Sequence, residues 1–417
     1  MRRRFLNACI DHPLIVLILT VAITVFLAVP IPEVDFSASS ETLISHDDPD
    51  RVYFEKIKNI FGDDQISVIC LIAEGGIYRE KIFRKIEDMT RELKEVDGIR
   101  DVVSITNIRN IRGEKETIEL DGETLEINRL YKGELVTEIP DTPREWEKLK
   151  ERIRDNPLYT GNIVSPDGAA TGINVFLEEL TEKQLYEKDI VGKINEIIEK
   201  HSGPGVDISV TGIPQTKVLT SQYMKRDLKK FIPYTILLIA CVLYISFKRG
   251  RRINAPLLLV AAAVAGGLAA QSAWDFVIPL EQAMPAVAAL VLFLALFEGR
   301  AILLPLAAVV LAVTWTVGFM GYMEVKFSLV NTVLPSLLIS IGIAYVIHVV
   351  SEYYHERPES EEPEDALKNA VYHISLPVAV TAFTTMIGFA SLTVSDIPAI
   401  RDMGLLAVFG VFCAVLL

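Results

Sequence analysis

NTVLPSLLISIGIAYVIHVVSEYYH, residues Asn331 to His355, decides how the rest of the chain is read. As a helix rising about 1.5 Å per residue, a run of this length crosses the ~30 Å hydrocarbon core of a bilayer. Every fourth residue from Ser336 gives Ser340, Ala344, His348 and Glu352, which a helix places on one face. Burying that face in lipid is costly, so it is expected to face other helices or water. An ionisable residue inside a membrane helix marks a candidate functional site.

The composition agrees with a membrane chain that also carries a water-soluble domain. Of 417 residues, 51% are hydrophobic, yet 23% are charged and stand mostly outside a few long apolar runs. Mean hydropathy is +0.35, too high for an ordinary soluble protein. The net charge of −13 and the lack of a basic stripe argue against nucleic-acid binding. Cys9, Cys70, Cys241 and Cys413 are scattered, with neither a disulfide framework nor metal-ligand spacing, and Cys70 reads as a buried strand residue. No cofactor, nucleotide or hydrolase motif is present, so the chain does not read as an enzyme.

Residues 1–32 begin with Arg2, Arg3 and Arg4 and continue as an apolar run from Pro13 to Pro32. The run is too long for a signal-peptide core, and Asp11 and His12 interrupt its basic start, so it reads as an uncleaved first span. The arginines place the N-terminus in the cytoplasm. Residues 33–226 then read as an extracytoplasmic domain. Strands are expected at Gln65–Ala73, Val102–Ile105 and Val206–Val210, with hairpin strands Ile163–Val164 and Thr171–Leu177 around Pro166-Asp167-Gly168. Helices are expected over Arg79–Glu95, with Ile82, Phe83, Ile86 and Met89 inward, from Thr142, and over Glu182–Lys200, with Leu185, Ile190, Ile194 and Ile198 inward. The charged segment Ile108–Glu138 reads as irregular, with a hairpin at Asp121-Gly122. This order gives α+β packing of ferredoxin-like type.

Residues 227–417 read as a helical bundle, bringing the expectation to about eight spans. They are Phe231–Ser246, Ala255–Ala273, Met284–Phe297, Ala301–Met320, the opening stretch, Leu376–Val394 and an incomplete last helix from Met403. Lys248, Arg249, Arg251 and Arg252 mark an inner turn, and Trp274 an outer interface. Glu352–Asn369 is an acidic inner segment, with Asp365–Val371 as an amphipathic surface helix, and Ser395–Asp402 is an outer turn. Gly250-Arg251 before Pro256-Leu257 repeats as Gly299-Arg300 before Pro305-Leu306, either a duplicated hairpin or shared turn chemistry.

The layout of one span, a large outer domain and a bundle resembles the resistance-nodulation-division (RND) superfamily, in its MMPL-like or hydrophobe-exporter branch. SVIC at Ser67, NPLYTGNIVSPDGAATGINVFL at Asn156, LPSLLISIGIAYVIHVVSEYYHE at Leu334 and EDALKNAVYHISLPVAVTAFTTMIGFASLTVSDIPAIRDMGLLAVFGV at Glu364 carry the resemblance. It implies a transporter in the cytoplasmic (inner) membrane that exports lipids or other hydrophobic compounds with the proton gradient, the outer part serving as its porter domain. Three features depart from the family pattern. The chain holds one half of a usual two-half layout, so a second half or an oligomeric partner is expected. The pair at about 255–297 reads as an insertion. The aspartate that many proton-driven members carry in the fourth helix is replaced, Ala344-Tyr345 occupying the place of the carboxylate pair.

Proton coupling needs an intramembrane group that changes charge. Ala344 cannot, whereas His348, one turn on, titrates near neutrality in water. The expected relay set is therefore His348 with Tyr345, Glu352, Thr381, Thr384 and Thr385, with Gly388 allowing close approach of the threonine helix. The alternatives are that His348 only packs and that the threonines only join helices. His46, His201, His355 and His373 read as surface residues. The competing functional class is a non-transporting lipid- or sterol-sensing or assembly protein on the same bundle.

Overall fold

A computed structural model of the chain describes residues 2–45, 47–61, 65–120, 123–247 and 303–417. The expected spans at 255–273 and 284–297, Trp274, the Gly-Arg turns and His46 lie outside the described residues. The chain divides into two compact units, an α/β unit of Pro49–Thr220 and a helical unit of Met1–Asp48 with Ser221–Leu417. The α/β unit is thus narrower at both ends than residues 33–226. Residues before Pro49 go with the helical unit because Phe36 bridges and stacks on Phe327, and the Ser37 amide donates to the Phe327 carbonyl at 2.7 Å.

The helices are α1 Arg2–Asp11, α2 Pro13–Ala28, α3 Pro49–Phe61, α4 Glu80–Lys94, α5 Pro143–Arg154, α6 Glu182–Glu187, α7 Ile190–His201 and α8 Ile213–Phe247. They continue with α9 Leu303–Tyr322, α10 Leu334–Glu356, α11 Pro363–Ala390 and α12 Pro398–Leu416. The strands are β1 Ile66–Ala73, β2 Ile99–Val103, β3 Arg109–Leu120, β4 Glu123–Glu134, β5 Ala170–Leu177 and β6 Val206–Gly212.

In the α/β unit four strands form an antiparallel sheet of order β2-β5-β1-β6. Alternation along β1 and β5 turns Ile69, Leu71, Ile173, Val175 and Leu177 into one core with Phe83, Ile86 and Met89 of α4 and Ile190 and Ile194 of α7. Each such side chain stabilises by roughly 1.5–3 kcal/mol when fully buried. The same alternation puts Cys70 on the opposite, half-exposed face, which corrects its reading as buried. Thr142 caps α5 reciprocally, its hydroxyl accepting from the Glu145 amide and the Glu145 carboxylate accepting from the Thr142 amide at 3.1 Å.

Several expected elements differ in detail. Glu182–Lys200 splits into α6 and α7, because Asp189 takes a left-handed backbone conformation (φ 47°) that a helix cannot contain. Ile163–Val164 forms no strand, Val164 instead making isolated bridges to Thr160 and Thr171. The charged segment, read as irregular with a hairpin, does form a hairpin but a regular one of twelve residues per strand, β3 with β4, whose register closes with Leu120 opposite Glu123. His201 is half-buried rather than fully on the surface. Its Nε2 lies 3.2 Å from Glu92, which also accepts from Lys200 at 2.8 Å.

Among the described residues, five helices are long and apolar enough to cross a membrane. They are α2 with its 3-10 extension to Glu33, α9, α10 with its 3-10 lead from Asn331, α11 with its extension to Val394, and α12. Phe231–Ser246 forms the C-terminal part of the 35-residue α8. Asp365–Val371 is no separate surface helix, since α11 runs unbroken from Pro363. Ser395–Asp402 is only partly a turn, as α12 begins at Pro398. The helices meet where glycine removes a side chain. A Cβ on Gly342 of α10 would sit 3.2 Å from Val309 and 3.3 Å from Ala414. One on Gly318 of α9 would collide with the Leu27 carbonyl of α2, and one on Gly410 of α12 with Leu338 of α10. Trp315 on α9 donates to Thr24 on α2 at 2.8 Å, and Phe319 stacks on Phe409 of α12 with ring centres 4.1 Å apart.

Candidate functional site

The candidate residues sit on α10 and α11, which pack side by side. On α10 the inward positions are Leu334, Leu338, Ile339, Gly342, Ile343 and Tyr345, each buried. Ser340, Ala344 and His348 point the other way and are exposed. The helices among the described residues therefore do not cover this face. Of the two expected neighbours, other helices or water, the described residues supply no helix. The weak amphipathicity of an apolar helix leaves the choice of inward face to Gly342 and its large neighbours, which fit the groove between α9 and α12.

The Ala344-Tyr345 pair is split between two environments. Ala344 lies on the open face, whereas Tyr345 is 5% exposed and its hydroxyl has no hydrogen-bond partner among the described residues. His348 is exposed, and among the described residues it makes no hydrogen bond or ion pair. Glu352, one turn further, makes its ion pair with His373 of α11 rather than with His348.

The threonines of α11 bond within their own helix. Thr381 donates to the Pro377 carbonyl at 2.9 Å, while Thr384 and Thr385 donate to the Thr381 carbonyl at 2.9 and 2.8 Å. Their hydroxyls are thereby satisfied without reaching α10. Thr381 and Thr384 are exposed and Thr385 is half-buried. Among the described residues Gly388 does not mediate a close helix contact, because a Cβ placed there would meet nothing within 4 Å. Gly342, Gly404 and Gly410 fill that role, Gly404 lying against the Phe389 carbonyl.

At the C-terminal end of α10 the structure brings together residues that sequence reading placed apart. His373 Nδ1 lies 2.9 Å from Glu356 and 3.5 Å from Glu352. Glu352 and Glu356 share a face by their i,i+4 spacing, which was legible. Their partner was not, because nothing in the sequence fixes the register between α10 and α11 across the loop at 357–362. α1 packs beside the start of α11, where Lys368 bridges Asp11 at 3.1 Å and Glu364 at 2.7 Å, and Tyr372 donates to the Asn7 side chain.

The model of the MMPL family matches residues 78–280 and 280–417, which together take in most of the chain. Among curated proteins, a relative from Methanocaldococcus jannaschii, provisionally described as a membrane protein, is 22% identical over 415 residues. That match covers 97% of this chain and 88% of the relative.

Proposed function

The chain belongs to the MMPL family, and on that premise we propose that it is an RND-type membrane transporter exporting lipids or other hydrophobic compounds, driven by the proton gradient. The observation that carries the reading is an ionisable side chain, His348, in a helix apolar enough to cross a membrane. It stands one turn from Ala344-Tyr345, where the family resemblance places a carboxylate. The strand order β2-β5-β1-β6 supports a ferredoxin-like porter domain that receives substrate leaving the bilayer. In this reading the membrane is the cytoplasmic one, the N-terminus is cytoplasmic and the α/β unit lies outside. The open face of Ser340, Ala344 and His348 is covered by a second half or by a second copy.

Reconstitution in vesicles tests the coupling. With an imposed pH gradient, His348→Ala abolishes gradient-dependent movement of a fluorescent lipid, while Ser351→Ala, three residues on, leaves it unchanged. Gradient-dependent export that survives His348→Ala at the wild-type rate removes the histidine from the mechanism.

A second reading is a lipid-sensing or assembly protein on the same bundle. It is favoured by the alanine at position 344 and by the α11 threonines, whose hydroxyls are all bonded within their own helix. Wild-type protein that binds lipid but moves none across the vesicle membrane decides for it.

A further inference from the structure

We propose that Glu352, Glu356 and His373 form a binding site for a divalent transition-metal ion of the Zn2+ class, clasping the end of α10 to α11. The three ligand atoms, two carboxylate oxygens and His373 Nδ1, all lie within 4.8 Å of one another. A tetrahedral zinc with ligands at about 2.0–2.1 Å sets them roughly 3.3 Å apart. The observed separations from Nδ1, 2.9 and 3.5 Å, bracket that value, so small rotations of the side chains complete the site.

Charge points to a cation as well. Two glutamates stand in the last two turns of α10, where the helix dipole is negative and carboxylates are disfavoured. Among the described residues, two cations on or next to the same helices are engaged elsewhere. Lys368 bridges Asp11 and Glu364, and Arg357 donates to the Ser360 carbonyl at 3.2 Å. A protonated imidazole offsets one of the two carboxylate charges, whereas a divalent ion with a neutral imidazole offsets both. The Glu356 side chain is 13% exposed and that of Glu352 27%, which limits competition from water, while His373 at 65% leaves an entry path. One nitrogen and two carboxylates, with room for water, suit zinc-like ions. Calcium takes six to eight oxygens, and magnesium demands a near-ideal octahedron.

The site shares Glu352 with the expected relay set, but testing it needs no transport activity. The full chain, stripped with chelator and held in detergent, is titrated with Zn2+ by calorimetry near neutral pH. One saturable site is expected. Glu356→Gln and His373→Ala each weaken it at least tenfold, and Glu359→Gln, an exposed acid of the following loop, leaves it unchanged. Zinc raises the melting temperature of the wild type and not that of His373→Ala. Should a variant fail to fold, the visible spectrum of Co2+ on the wild type serves instead. Bands of a four-coordinate nitrogen–oxygen site, displaced by Zn2+, support the assignment. A wild type without saturable Zn2+ uptake overturns it, as does equal uptake by folded variants.

Discussion

Phe83 and Phe383 are the same side chain in the two units, and they end up in opposite places. Phe83, on α4 of the α/β unit, is fully buried against Trp146, whereas Phe383, on α11, is 61% exposed. Leu14 and Ile18 of α2 and Val380 and Ile387 of α11 are exposed too, as a helix bathed in lipid permits. In the α/β unit, removal of apolar area from water holds the sheet to α4 and α7. Lipid supplies no such drive between helices, so the helical unit depends on close contact at Gly318, Gly342 and Gly410. A mutation should therefore act through volume lost in one unit and through volume added in the other.

The largest effect belongs to the water-driven core. Phe83→Ala should cost about 3–5 kcal/mol, read as accelerated hydrogen exchange in α4 and β5 of the full chain. Phe383→Ala should leave that exchange unaltered, and equal losses from the two would break the comparison. Next comes a single methyl group in the helical unit. Gly318→Ala should destabilise by about 1–3 kcal/mol in thermal unfolding in detergent, because the added carbon meets the Leu27 backbone, which has no rotamer to turn away. Gly388→Ala carries the same chemistry into open space. It should stabilise by about 0.5–1 kcal/mol through helix propensity, unless a second copy packs there, in which case the sign reverses.

The smallest effect is electrostatic. The Lys200 ammonium bonded to Glu92, aided by His201, holds that carboxyl below its ordinary value of 4.5. A depressed carboxyl contributes stability above its unfolded pKa and loses it as pH falls through the folded one. The melting-temperature gap between wild type and Glu92→Gln should therefore hold steady from pH 7 to about 5 and close below 4.5, towards the folded value. A gap unchanged at pH 3 would detach Glu92 from the joint between α4 and α7.

What could be read from sequence follows the same division. The Ile82, Phe83, Ile86 and Met89 stripe is legible because water imposes a helical period on it. The length of α10 is legible because charge bounds its apolar run, Asn331–His355 against an observed Leu334–Glu356. Its inward face is not, since in lipid both faces of a helix can be apolar and only neighbouring helices decide. Asp189 hides the break between α6 and α7, as its left-handed backbone leaves the apolar spacing across Glu182–Lys200 undisturbed. α3 was missed, although Asp48-Pro49 opens it in the manner of a capped helix. Of the site, Glu352 was found and Glu356 and His373 were not, because the approach of α11 is a tertiary fact.

The hydroxyl of Tyr345 has a consequence for conformational populations. Among the described residues it meets no acceptor, and a buried donor left so raises the free energy of the arrangement that contains it by about 1–3 kcal/mol. Any rearrangement of α10 that offers the phenol an acceptor, whether water or a neighbouring carbonyl, recovers that amount. Recovered in full, it multiplies the weight of the alternative state by roughly 5 to 150. Among the described residues the phenol thus acts as a standing bias away from the conformation described.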